Sequence, residues 1–243
     1  MTARPDNQLL KALSGPDFGR LGPRLRMVEL KSGDSIYEME DVVDAVWLPE
    51  RGLLSIISIM HSGQSVESAI VGREGGFGFI EACGAGITFS RCIVQSDGRF
   101  WRLPATDYRH AYGESASLRA TISNHIELLL TEARQTIACH SLHSAEQRLA
   151  WWLLEAQDRI GGDDRLFLTQ DFLAAMLAVR RSTVSIVASR LQAQGLIGYS
   201  RGCIDLLDRE GLQRAACECY ATTRGYRRRI EGQLGAGGAE KGG

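Results

Sequence analysis

Near the carboxyl end of the chain, several hydrogen-bonding side chains share one face of a short predicted helix. They are Arg181, Ser182, Ser185, Ser189 and Arg190. The opposite face is apolar, which predicts that it is buried against the rest of the protein. That face carries Val184, Val187, Ala188 and Leu191. Guanidinium groups bind phosphates and guanine, and hydroxyls bind phosphates and base edges, so the polar face has the chemistry to contact nucleic acid.

The elements around this helix predict how it is held. A preceding helix begins after Thr169, a favourable N-cap, and has an apolar face of its own. Residues 178–180 form the turn between the two helices, and Gly195 ends the second one. A hairpin over residues 197–208 follows, with Arg201 at its tip. This order predicts a winged helix-turn-helix, whose second helix enters the major groove of DNA.

The distribution of charge agrees with this prediction better than the net charge does. The whole chain has 28 basic and 29 acidic residues. Residues 178–230, however, contain ten arginines and only four acidic residues. The rest of the chain is therefore acidic, which predicts a basic DNA-reading unit on an acidic sensor or dimer body.

Length and composition limit the class of protein. A chain of 243 residues with 44% hydrophobic and 23% charged residues is typical of a globular protein with two domains. No apolar run is long enough for a membrane helix, and the amino terminus has no secretory signal core, which predicts a cytoplasmic protein. The six scattered cysteines are expected to be free thiols. The common catalytic motifs are absent, so we do not expect an enzyme.

Residues 27–103 differ from the rest in having short β-prone runs separated by turn residues, a pattern that predicts a compact β-roll. The glycine-rich run 72–78 lacks the Gly-Lys-Ser/Thr of a nucleotide-triphosphate loop, and no helix is predicted after it. We therefore interpret it as a tight turn of the β-roll.

A long helix is predicted over residues 115–143. Its apolar residues recur at spacings of three and four, as in a helix that pairs with a second copy. The predicted dimerisation residues are Leu118, Ile122, Ile126, Leu129, Ala133 and Ile137. The alternative is that this stripe packs on the β domain of its own subunit. A hinge between two dimer arrangements is expected near residues 140–144.

The carboxyl-terminal motifs resemble those of the cyclic-AMP receptor/Fnr (Crp/Fnr) superfamily of bacterial transcription regulators. The matching segments are residues 169–174, 181–184 and 195–197. The resemblance implies an α+β protein with a cyclic-nucleotide-binding-like jelly roll and helical lead-in (1–114), a dimerisation helix (115–143), a winged helix-turn-helix (144–225) and a flexible tail (226–243). It also implies a homodimer on a palindromic operator, with RNA polymerase as a further partner.

The resemblance implies roles for residues in the DNA-binding set. Arg181, Ser182 and Ser185 would read base edges. The residues expected to position the DNA backbone are Thr169, Arg180, Arg190 and Arg201. Three further residues are expected to contact DNA without a more specific role: Gln170, Thr183 and Ser189. Arg180 replaces the Ser or Thr that usually caps the recognition helix, a loss expected to cost about 1 kcal/mol.

The predicted effector pocket has lost most of the family's ligand contacts. Its residues are Phe77, Gly78, Phe79, Glu81, Arg91 and Cys92. In cyclic-nucleotide-binding members, a Glu holds the ribose and an Arg with a hydroxyl residue holds the phosphate. Here Phe79 replaces that Glu and Cys92 replaces the hydroxyl, which leaves Arg91. We therefore expect no response to cyclic nucleotide, no cofactor and an unknown effector.

The alternative function is a ligand- or redox-sensing β-roll protein, using a metal, haem or a thiol, with altered or lost DNA binding. No cysteine precedes Cys83, which argues against an Fnr-type iron–sulfur cluster. Cys139 and His143 share a helix face at a spacing that can bind a metal, but a polar helix end is the favoured interpretation. Cys217 and Cys219 would point to opposite sides of a helix. Cys92 and Cys203 stay candidates for redox sensing.

Overall fold

The computed structural model describes residues 4–160, 165–200 and 202–237. An antiparallel sheet forms the amino-terminal unit, a long helix follows it, and a helix pair with a small sheet forms the carboxyl-terminal unit. The predicted fold class is thereby confirmed. Within these residues, no single helix is long and apolar enough to cross a membrane. Two consecutive helices, Gln170–Leu177 and Arg181–Ala193, together have the length and apolar composition of a membrane span, but they are bent by 96° relative to each other.

The helices lie at both ends of the amino-terminal sheet and through the carboxyl-terminal half. They are α1 (Gln8–Ala12), α2 (Gly15–Leu21), α3 (Phe79–Cys83), α4 (Ala105–Glu114), α5 (Ala116–Leu142), α6 (Ala145–Ile160), α7 (Gln170–Leu177), α8 (Arg181–Ala193), α9 (Arg209–Ala215) and α10 (Cys219–Gly237). A single 3-10 turn covers Gly22–Arg24. The short helix α3, directly after the glycine-rich run, is not predicted from the sequence.

The amino-terminal sheet has fewer and longer strands than its turn residues predict. Its strands are β1 (Arg26–Leu30), β2 (Ser35–Tyr37), β3 (Ala45–Ile59), β4 (Ser65–Val71) and β5 (Arg91–Pro104). They pair antiparallel in the order β1-β5-β3-β4, and β2 also pairs with β5. Strand β3 runs through the Pro49–Gly52 segment and β5 runs through Asp97-Gly98, although both segments contain residues that favour turns.

These internal turn residues form bulges instead of hairpins. The register between β3 and β5 shifts between Pro49 and Arg51 and again between Arg51 and Leu53. A Cβ atom on Gly98 would lie 2.0 Å from the carbonyl oxygen of Arg51, so only glycine lets the two backbones approach here. Bulges bend the strands and increase their twist, which lets two long strands wrap a compact core.

Helix α5 connects the two units and spans about 40 Å at the usual rise per residue. The first part of its apolar stripe packs on its own subunit. Leu118 and Ile122 are only 1% and 2% exposed and belong to the core of the amino-terminal unit. The prediction that these two residues form a dimer interface is wrong, because their side chains are already buried against the sheet. The alternative interpretation, packing on the subunit's own β domain, holds for this part of the helix.

Helix α10 occupies part of the region predicted as a flexible tail from residue 226. The helix continues to Gly237 and packs back against α5 and α6. Tyr226 donates a 2.6 Å hydrogen bond to Glu127 of α5, and Ile230 is buried. These tertiary contacts stabilise a helix whose glycines alone disfavour it.

A buried group of charges joins the two units. Arg159 of α6 forms ion pairs with Glu74 (2.8 Å), with Glu132 of α5 (2.9 Å) and with Glu155 (3.1 Å). Its guanidinium also donates to the carbonyl of Ile70 in β4. Arg227 of α10 pairs with Glu132 (2.6 Å) and Glu155 (3.1 Å). We call these five side chains the Arg159 network.

The arginines of this network favour the charged form of Glu155 in spite of its burial. Burial acts to raise the pKa of Glu155, but Arg159 and Arg227 outweigh it and lower that pKa to about 2.

A second polar contact lies beside the network. Trp152 of α6 donates a 2.7 Å hydrogen bond to Glu67 of β4. Burial raises the pKa of Glu67 to about 7.

The glycine-rich run supplies the space that this network needs. A Cβ atom on Gly72 would lie 2.6 Å from the Cβ of Arg159, and one on Gly75 would lie 2.1 Å from the ring of His125. His125 is buried on α5 and contacts the backbone of Gly76. Glycine lets the loop approach α5 and α6 closely, which supports the interpretation of this run as a packing turn.

We expect Arg159→Ala to lower the free energy of unfolding by about 3–5 kcal/mol, because it leaves buried carboxylates without a partner. Urea denaturation followed by tryptophan fluorescence measures this loss. The control is Lys31→Ala, which breaks the exposed 2.9 Å ion pair with Asp97 and should cost at most about 1 kcal/mol. A loss for Arg159→Ala no larger than that of the control would contradict the assigned role.

Candidate nucleic-acid interface

Helices α7 and α8 form a helix-turn-helix, in which the helices meet at 96°. Residues 178–180 make the turn, and Ala178 has the left-handed conformation (φ 50°). Its N–H donates to the carbonyls of Ala174 and Ala175, which closes the end of α7. The predicted apolar face of α8 is confirmed as buried, with Val184, Val187, Ala188 and Leu191 all in the core of the carboxyl-terminal unit.

The caps of the two helices are as the sequence predicts. The N–H of Phe172 donates to Thr169 Oγ1 at 3.2 Å, so Thr169 caps α7. Arg180 occupies the N-cap position of α8 and makes no side-chain capping hydrogen bond. The first N–H groups of α8 therefore lack a side-chain acceptor at this position. These N–H groups, with the positive end of the helix dipole, favour an anion such as a DNA phosphate.

The opposite face of α8 is exposed to solvent. Its exposed residues are Arg181, Ser182, Ser185, Ile186, Ser189 and Arg190, and Thr183 is partly exposed. Thr169, Gln170 and Arg180 are also exposed beside them. The structure therefore brings nine of the ten predicted DNA-binding residues to one region of the surface. The tenth, Arg201, lies outside the described residues.

Neighbouring side chains orient several residues of this surface. Arg181 forms an ion pair with Asp171 of α7, and both side chains remain largely exposed. Gln170 donates a 3.4 Å hydrogen bond to Ser185. Arg190 lies 3.6 Å from Glu146 of α6 and is mostly exposed. A guanidinium has five N–H donors, so Arg181 has donors left for a base while it pairs with Asp171.

The predicted wing is present beside the helix pair. Strands β6 (Arg165–Phe167), β7 (Ile197–Ser200) and β8 (Cys203–Leu206) form an antiparallel sheet in the order β6-β8-β7. The hairpin of β7 and β8 turns between residues 200 and 203, as predicted. Ile204 at its centre is buried in the core that holds α8. The wing is therefore attached to the same core as the exposed face of α8.

A cavity of about 370 Å³ lies between the amino-terminal sheet and α5. Four of the residues predicted for an effector pocket line it, namely Phe77, Gly78, Phe79 and Glu81. Leu129 and Ala133 of α5, both predicted for the dimer interface, line the other side. The lining is largely apolar, which suits an apolar ligand better than a phosphate.

Phe79 also packs into the core, and the other two predicted pocket residues, Arg91 and Cys92, are not among those that line the cavity. Phe79 is buried, with its ring 5.3 Å from that of Tyr108 and 5.6 Å from that of His125. Arg91 forms a 3.0 Å ion pair with Glu38. Cys92 is fully buried, and burial together with nearby Glu81 raises the pKa of its thiol well above the usual value. A buried protonated thiol is unreactive, so the structure does not favour redox sensing by Cys92.

Four thiol and imidazole side chains meet where α5 ends. They are Cys139, His143, Cys217 and Cys219, and we call them the thiol–imidazole cluster. Their ligand atoms all lie within 4.8 Å of one another. The expectation that Cys217 and Cys219 point to opposite sides of one helix is wrong. Helix α9 ends at Ala215 and α10 begins at Cys219, so Cys217 lies in the link between them.

Sequence reasoning missed this cluster and the Arg159 network for the same reason. Both groups join residues far apart in the chain, such as Cys139 with Cys217 and Glu74 with Arg159. The one local signal is the Cys139/His143 spacing of four residues, which places both side chains on one face of a helix. The signal for the network is weaker, because a single arginine in an amphipathic helix is usually a surface residue.

The fold and this surface define a winged helix-turn-helix DNA-binding protein with an amino-terminal β-roll. Residues 147–215 match the Crp-like helix-turn-helix domain family. The transcriptional regulatory protein btr of Bordetella pertussis is 26% identical over 199 residues, which cover 77% of this chain and 79% of that protein.

Two solved structures have the same fold over most of the chain. FixK2 of Bradyrhizobium japonicum superposes with a TM-score of 0.68 at 17% identity and covers 79% of this chain and 98% of its own. TTHA1359 of Thermus thermophilus, a CRP/FNR-family transcriptional regulator, has a TM-score of 0.64 at 26% identity with the same coverage. The chain is therefore similar over most of its length to a Crp/Fnr-family transcription regulator, and its carboxyl-terminal unit matches the Crp-like helix-turn-helix family.

Proposed function

We propose that the protein is a homodimeric, sequence-specific DNA-binding regulator that acts in the cytoplasm and does not respond to cyclic nucleotide. The observation that carries the proposal is the exposed polar face of α8. The opposite face of α8 is buried in the core of the carboxyl-terminal unit, and α8 lies within residues 147–215, which match the Crp-like domain family. A helix held in this way can enter the major groove without unfolding.

The chemistry of the exposed face assigns its residues to two roles. Arg181, Ser182 and Ser185 read base edges, and Arg181 is suited to a bidentate contact with guanine. Thr169, Arg180 and Arg190 position the DNA backbone, together with Arg201, which the sequence predicts at the tip of the hairpin. Ile186 is 55% exposed on the same face, and its apolar side chain suits the methyl group of thymine.

Helix α5 supplies the surface for dimerisation. Leu130 and Ile137 are 49% and 69% exposed, and with half-buried Ile126 and Ala133 they follow spacings of four, three and four. This is the spacing of a coiled-coil seam. The proposed interface therefore keeps Ile126, Leu129, Ala133 and Ile137 and adds Leu130. A two-fold dimer through it would present two α8 helices to a palindromic operator, where RNA polymerase is the expected further partner.

The loss of cyclic-nucleotide response rests on the pocket. A buried cyclic phosphate needs several donors, because each unpaired buried polar group costs about 1–3 kcal/mol. Phe79 cannot hold the ribose and Cys92 is buried in the core, so Arg91, which also pairs with Glu38, is the one expected contact left for the phosphate. Any other effector would bind in the largely apolar cavity between the sheet and α5.

Arg181→Ala should weaken binding to a selected operator by about 1–3 kcal/mol and relax preference at one base position, with little change on random DNA. Fluorescence anisotropy on both duplexes at one salt concentration measures this difference. Arg26→Ala, an exposed arginine in β1, is the matched control and should change neither affinity. Equal losses on the two duplexes would reassign Arg181 to the DNA backbone.

Ile137→Asp should convert the dimer to monomer, because it places a charge in an apolar seam. Analytical ultracentrifugation measures the mass, and circular dichroism checks the fold. Ala138→Asp is the matched control, since this exposed neighbour lies about 100° further around the helix. Leu118→Ala should instead lower stability by about 2–5 kcal/mol and leave association unchanged. A dimer that survives Ile137→Asp would rule out this seam.

Cyclic AMP and cyclic GMP should neither bind the protein nor change its affinity for DNA, because Arg91 is the one expected ligand contact that this pocket retains. Isothermal titration calorimetry tests binding, and anisotropy with and without each nucleotide tests the response. Stoichiometric binding heat from either nucleotide, or a shift in DNA affinity, would overturn this part of the proposal.

A further inference from the structure

The thiol–imidazole cluster has the composition and spacing of a metal-binding site. The sulfurs of Cys139 and Cys217 are 3.5 Å apart, and Cys219 Sγ lies 3.5 Å from His143 Nδ1. The three cysteines are free and buried, and His143 is partly exposed. We propose that this cluster binds one Zn²⁺ ion in a tetrahedral site made of three thiolates and one imidazole.

The spacing of the ligand atoms supports a single ion. A zinc ion with bonds of about 2.3 Å to sulfur holds its tetrahedral ligands roughly 3.8 Å apart. The cluster's atoms lie within 4.8 Å of one another, so small side-chain movements complete the tetrahedron. An iron–sulfur cluster distributes its ligands over several irons and needs them further apart. Three thiolates and one imidazole are a ligand set typical of structural zinc.

The side chains around the cluster provide second contacts of the kind that zinc sites use. Gln135 of α5 donates a 3.1 Å hydrogen bond to Cys219 Sγ. Glu218 lies 4.0 Å from His143 Nε2, the ring nitrogen on the far side from Cys219. A carboxylate in this position can orient a ligating imidazole and set its tautomer. Trp151 packs against the three cysteines and limits access of water.

The position of the cluster gives the metal a mechanical role. Cys139 and His143 lie in the last turn and C-cap of α5, beside the predicted hinge at residues 140–144. Cys217 lies in the link from the DNA-binding unit to α10, and Cys219 is the first residue of α10. A metal bound to all four would fasten the end of the dimerisation helix to the DNA-binding unit. The orientation of α8 relative to α5 would then depend on the bound ion.

The first test measures metal directly in the tag-free, full-length protein purified under reducing conditions. Elemental analysis should find zinc equimolar with the chain. Co²⁺ added to the metal-free protein should give the visible bands of a tetrahedral site and a thiolate charge-transfer band, and equimolar Zn²⁺ should remove both. Zinc should raise the melting temperature of the metal-free protein, because it binds the folded state.

Variants then assign the ligands. Cys219→Ser and His143→Ala should lose the equimolar metal and the cobalt spectrum. His143→Cys should keep them with a stronger charge-transfer band. The matched controls are Cys203→Ser, a partly exposed cysteine outside the cluster, and His140→Ala, the neighbouring histidine of α5, and both should bind zinc as the wild type does.

Several results would overturn the proposal. They are a reduced wild-type protein that binds neither zinc nor cobalt, a protein that contains several irons with sulfide, and metal binding that survives Cys219→Ser and His143→Ala together. A native Cys139–Cys217 disulfide with no metal affinity after reduction would also overturn it and make the cluster a redox pair. The cobalt titration uses wild-type protein, so it decides the matter even if a variant fails to fold.

Discussion

The rest of the structure depends on how the guanidinium of Arg159 is paired. One buried cation contacts the glycine-rich loop through Glu74, helix α5 through Glu132 and its own helix through Glu155. Arg227 extends the same network to α10. Breaking a buried ion pair is strongly destabilising, so this network favours the observed arrangement of loop, α5, α6 and α10. The DNA-binding unit is thereby oriented relative to the helix that would pair two subunits.

If the cavity beneath α5 binds an effector, this network would connect it to the proposed DNA-reading helix. The loop that carries Glu74 is continuous with the segment that lines the cavity beneath α5. A ligand that moves this segment would alter the partners of Arg159, and α6 would transmit the change to α8 through their shared core. The proposed zinc site lies at the other end of the same connection. The cavity beneath α5 and the proposed zinc site would together determine the orientation of α8 relative to the axis of the proposed dimer.

The parts of the protein with local signals were predictable from the sequence. The apolar face of α8, the Thr169 cap and the hairpin of the wing follow from periodicity and turn residues over short segments. The long strands β3 and β5 were not predictable, because Gly52 and Gly98 indicate turns unless the partner strand is known. The burial of Leu118 and Ile122 was equally hidden, since an apolar stripe does not identify its partner. The Arg159 network and the thiol–imidazole cluster arise from long-range contacts that the sequence does not display.

In the proposed dimer, two copies of α8 face one side of a DNA duplex. Selection of bound duplexes from a random pool by the wild-type protein tests this arrangement most directly. Such a selection should enrich inverted repeats whose half-site centres lie one helical turn apart, about 34–36 Å, or a multiple of it. Enrichment of single, unrepeated sites, or no enrichment at all, would contradict it.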